Sequence, residues 1–72
     1  MRAISKAEFE MLERLVDATS LRSVIGTLGT ICSEKAAHIS ENWQDNALAR
    51  LWDSAGTKLE TVAESNAVRR IS

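Results

Sequence analysis

The chain has no proline, no tyrosine and a single cysteine, and each shortage removes a class of protein. With Cys32 alone, no intrachain disulfide can form and no multi-cysteine metal centre can be built. Without proline, no proline-rich linker separates domains. Rings are few: Phe9, Trp43 and Trp52 are the only aromatics. Neither sign of charge is in excess, with a net charge of −1 spread evenly along the chain. No basic field is therefore available to draw in nucleic acid or an anionic membrane. The longest uncharged run, residues 23–33, falls well short of the ~20 residues that a bilayer-spanning helix needs.

What is present belongs to a small globular protein. Seventy-two residues, 44% hydrophobic and 26% charged, make one domain over 1–72. A core of Leu, Ile, Val and Ala in so short a chain yields only a few kcal/mol of net stability. Reinforcement is expected from a partner protein, from a second copy of the chain, or from both. The unpaired cysteine and the lack of a secretory signal pattern at the N-terminus lead us to expect a reducing, cytoplasmic setting.

The dominant pattern lies between residues 21 and 43. Leu21, Val24, Ile25, Leu28, Ile31, Cys32, Ala36, Ile39 and Trp43 recur in steps of three and four, the mark of an amphipathic helix. Ser20 precedes it as an N-cap. Upstream, Ser5 and Glu8 match a capping box, and Ile4 and Phe9 occupy the positions of a hydrophobic staple. A first helix is predicted over about 6–18, with Phe9, Leu12 and Val16 on its inner face. At 100° per residue, Leu12 and Val16 would lie about 180–220° from Leu21 in an unbroken helix, so a turn is expected at Thr19-Ser20.

The same phase test applies downstream. Leu48, Trp52, Ala55, Leu59 and Val62 form a second stripe with heptad-like spacing. Carried through without a break, it would lie roughly 180° from the first. A reversal at residues 42–45, with Asp45 as N-cap, lets the stripes face each other. The prediction is all-α: a long antiparallel helical hairpin, about 21–42 with 46–65, plus the shorter N-terminal helix. Residues 66–72 are read as a short tail. No alternating strand pattern competes.

Chemistry-bearing residues are sparse. Glu34, His38 and Glu41 share one side of the long helix and are the candidates for a metal site, but by phase they lie toward solvent. A metal-binding bundle would want further ligands on facing helices, and the chain has one histidine. Gly26 and Gly29 read as sites of tight helix packing. Gly29 could alternatively be the turn of a DNA-binding helix-turn-helix, with 31–42 as recognition helix. That helix would offer Glu34, Lys35 and Glu41, a net negative charge, to a polyanion that needs cations. Cys32 falls near the stripe centre as a buried thiol, out of reach of His38. No enzyme signal stands out, and no cofactor is implied.

The apolar arc of the long helix is wider than one hairpin partner can cover. A small protein–protein interaction protein is therefore expected: an adaptor, regulator or accessory subunit, with a DNA-binding module and a metal-binding bundle as the alternatives. Leu28, Ile31, Trp43 and Leu51 are the residues expected at the contact, with a partner protein or in a homodimer.

Overall fold

A computed structural model describes residues 1–71. Four helices follow in order: α1 (Lys6–Ala18), α2 (Leu21–Asn42), α3 (Asn46–Ala63) and α4 (Asn66–Ile71). No strand occurs among the described residues. The all-α class and the hairpin are as expected, and the helix count is four where three were predicted.

Local chemistry sets each boundary. Ser5 caps α1: its hydroxyl accepts from the Glu8 N–H at 3.2 Å, and the Glu8 carboxylate accepts from the Ser5 N–H at 2.9 Å. Arg2 forks onto the same carboxylate, with its second nitrogen 2.7 Å from Oε2. The Arg2 guanidinium, then the two Ser5 contacts, hold the Glu8 carboxyl at about 2, well below its ordinary 4.5. The expected staple is looser than the box, since Ile4 and Phe9 both remain more than half exposed. Thr19 closes α1, donating its N–H and hydroxyl to the Leu15 carbonyl, and Ser20 caps α2 by accepting from the Ser23 N–H at 3.0 Å.

The reversal between the long helices falls at residues 43–45. Asp45 caps α3, accepting from the Leu48 N–H at 3.0 Å. Gln44 adopts φ 53°, the left-handed conformation common just past a helix end. The hairpin is antiparallel: Ser40 lies beside Asn46 at the turn, and Arg22 bonds Glu64 at 2.7 Å at the open end. This ion pair holds the Glu64 carboxyl below its usual range, although both side chains are exposed and such pairs contribute little.

α3 stops at Ala63, two residues earlier than predicted, and the expected tail winds into α4 after a turn at Glu64-Ser65. The reason is a buried apolar side chain: α4 touches both α2 and α3 and tucks Val68 against the open end of the hairpin. Ser72 of the expected tail lies outside the described residues.

The seam between α2 and α3 is built from small residues. Gly29, Cys32 and Ala36 are buried on α2, and Ala49, Gly56 and Ala63 on α3. Ile25, Ile39, Trp52 and Leu59 flank them, half-buried. The α3 seam is thus offset from the predicted stripe: Trp52 and Leu59 belong to it, but Leu48, Ala55 and Val62 are exposed. The cause is backbone proximity. A Cβ on Gly56 would stand 3.1 Å from the Gly29 carbonyl oxygen and 3.2 Å from Cys32 Cβ. A Cβ on Gly29 would meet the Gly56 oxygen at 3.4 Å. Two helices this close have no room for leucine between them, so the larger side chains turn outward. Gly26, expected to pack tightly like Gly29, has nothing within 4 Å of where its Cβ would be.

Two outcomes follow from these contacts. Gly56→Ala should destabilise by about 1–3 kcal/mol through overpacking, despite alanine's better helix propensity. Gly26→Ala should stabilise by up to about 1 kcal/mol. Chemical denaturation of the two variants, side by side, checks the opposite signs. Glu8 governs an acid response. Its depressed folded-state value means the stabilisation is present above about 4.5 and is lost as pH falls toward about 2. Glu8→Gln keeps the box but loses the ion pair, so its deficit in thermal midpoint at pH 6 should vanish near pH 2.

Candidate functional site

Where the large side chains go defines the candidate site. On α2 the seam centres on Gly29, Cys32 and Ala36, while Val24, Leu28 and Ile31 form a strip turned about 90° from it. On α3 the seam centres on Ala49, Gly56 and Ala63, and Leu48, Leu51, Ala55 and Val62 form a strip turned about 90° in the same rotational sense. In antiparallel helices the same rotation carries both strips to one broad face of the hairpin. Leu28, Ile31, Leu48, Leu51 and Val62 are all exposed there, between 41% and 67%.

α1 walls one side of this face. It packs on α2 alone and makes no contact with α3 or α4. Leu12 and Leu15 join Val24, Leu28 and Ile31 in an almost wholly apolar groove of about 240 Å³, with Thr19, Ser23 and Thr27 at its edge. The same two leucines continue into a second concavity shared with Ile4, Glu8 and Met11. Phe9, expected on the inner face of α1, is 61% exposed, and of the three residues expected there only Val16 is half-buried. The opposite side of the hairpin is more polar: Ser33, Ser40, Asn46, Arg50 and Asp53 line a depression there together with alanines.

The four expected contact residues separate into two groups. Leu28 and Ile31 sit together in the groove with α1, and Leu51 belongs to the same broad face from α3. Trp43 stands apart at the hairpin turn, 73% exposed. Leu48, Val62, Leu12 and Leu15 were not expected there, and neither was the part that Gly56 plays in turning the α3 side chains out of the seam. The available signal was the heptad spacing of Ala49, Gly56 and Ala63, small residues beside the large ones.

The remaining candidates are placed as follows. Glu34 and His38, with Lys35 and Ile31, line a shallow solvent-facing concavity. The His38 ring contacts the Asn42 side-chain amide at 3.1 Å through Nδ1. Among the described residues no three His, Cys, Asp or Glu side chains are placed to hold a metal ion. Gly29 lies inside an unbroken α2, so the helix-turn-helix turn considered at that position does not exist. Cys32 is buried against Gly56. No described helix is long and apolar enough to cross a membrane. In comparisons with known proteins the chain matches no family model, no curated protein and no solved structure.

Burial of Cys32 makes its thiol a reporter of the seam. A thiol reagent should modify it only when the hairpin opens. Gly56→Ala should raise the rate about 5- to 150-fold, the factor that corresponds to its stability loss. Stopped labelling followed by mass measurement reads this directly.

Proposed function

We propose that the chain is a protein–protein interaction protein, an adaptor, regulator or accessory subunit, that works by covering its broad apolar face with a partner protein or with itself. One observation carries this reading. Five large apolar side chains of the long helices, Leu28, Ile31, Leu48, Leu51 and Val62, lie outside the core on one broad face, and Leu12 and Leu15 join the first two of them in the groove beside it. Contiguous apolar patches of this kind on small proteins mark sites of association. The chemistry of recognition is burial: these side chains are between 39% and 67% exposed, so each has about half of the 1.5–3 kcal/mol of full burial left to contribute. Leu28, Ile31 and Leu51 are the central contacts of this proposal, and Trp43 extends it toward the turn. The near-neutral charge balance supports an apolar partner surface over a polyanion.

The reading is tested by affinity capture from the native source with two baits, the unmodified chain and Ile31→Glu/Leu51→Glu. Circular dichroism must first show the second bait to be helical. Proteins retained by the first and lost with the second, at least tenfold down in yield, are the expected outcome. Identical profiles from two folded baits, when the unmodified chain is also monomeric, would remove the proposal.

A further inference from the structure

We infer that the occupant of the apolar face is a second copy of this chain, forming a two-fold dimer whose core is made by the two faces; this rests on the interaction reading above and names its partner. Exposed area favours a second copy. A compact monomer of 7.9 kDa exposes about 4,400 Å² by the surface–mass relation, and this chain exposes 5830 Å². The excess is about 1,400 Å² per chain, or about 2,800 Å² for a pair, inside the range of obligate homodimers and well above a transient contact.

The shape agrees with the area. The Cα frame measures 38 × 30 × 15 Å, a flat slab. A slab has two broad sides. One is more polar, lined by Arg50, Asp53 and serines, and the other carries Leu28, Ile31, Leu48, Leu51 and Val62. Stacking two slabs on their apolar sides gives a four-helix core from the two hairpins, with α1 of each chain as a flanking wall.

Stability selects the second copy over a different protein. Among the described residues no large side chain is fully buried, and the buried apolar ones are Cys32, three alanines and Val68. Such a core contributes little, so the folded state needs its partner wherever the chain is made. Only another copy is always present in equal amount, and a self-complementary patch satisfies two-fold symmetry by construction. Two copies together carry a formal charge of only −2, twice the −1 of one chain, so repulsion opposes pairing weakly.

Sedimentation equilibrium of the full chain from 1 to 100 µM tests the inference, with thermal unfolding over the same range. The expected results are a mass twice 7.9 kDa and a midpoint that rises with concentration, as linked folding and association require. Ile31→Glu and Leu51→Glu should each weaken the dimer at least about tenfold. Thr57→Glu, on an exposed position of α3 turned toward the polar side, should leave it unchanged and controls for added charge. Because the face variants can lose their fold with their partner, exchange between two isotopically distinct copies of the unmodified chain gives an independent reading. Mixed dimers are expected. A monomer at 100 µM whose midpoint ignores concentration would overturn the inference, as would a dimer indifferent to both face variants. If that monomer still captures a protein that Ile31→Glu/Leu51→Glu loses, the interaction reading stands and only the identity of the partner falls.

Discussion

The contact between the Gly29 and Gly56 backbones is the constraint on which the rest of the molecule depends. Once two helices approach until a carbonyl oxygen lies 3.1 Å from where a Cβ would stand, their seam can hold only glycine, alanine and cysteine at its centre. Apolar volume excluded from the seam has to go elsewhere. Half-buried Ile25, Ile39, Trp52 and Leu59 line the margins, and the remaining leucines, isoleucine and valine fall on one side. A tightly joined hairpin and a large uncovered face thus have a single cause. Ordinary small helical domains invert this arrangement, with leucine inside and alanine at the edge.

Much of this was legible in the sequence. Helix starts were readable because caps are local: Ser5 with Glu8, Ser20 and Asp45 each satisfy N–H groups within three residues, and no distant neighbour is needed. Both turns were readable because a continuous helix would have put successive stripes out of phase. The seam of α3 was misread for a related reason. Hydrophobicity weights Leu48 and Val62 above Ala49 and Ala63, yet steric access decides which of them faces a close neighbour. Without the position of Gly29 relative to Gly56, nothing local favours the smaller set. α4 was missed because six residues hold too little periodicity to register. Val68 is buried only because the open end of the hairpin offers it a place, and that is tertiary information.

The candidate face was half legible. Leu28, Ile31 and Leu51 could be named because the arc on α2 is too wide for one neighbour. The leucines of α1 could not, since their exposure depends on α1 touching α2 alone. That attachment has a dynamic meaning. α1 holds its own start through the box and the Arg2 ion pair, and it contributes few tertiary contacts to the hairpin. Local opening free energies are smallest where buried contacts are fewest, so α1 is the element most readily displaced, and the hairpin with α4 is the more persistent unit.

Small residues at 49, 56 and 63 recur every seven positions, and a seam with such a period has a translational ambiguity. Sliding α3 by one heptad would set Ala49 or Ala63 against Gly29. Each alternative would carry a methyl group into the carbonyl that Gly56 alone can meet. The glycine therefore works as a key among similar teeth: it contributes no attraction of its own, but it favours one alignment of the two helices over its neighbours a heptad away.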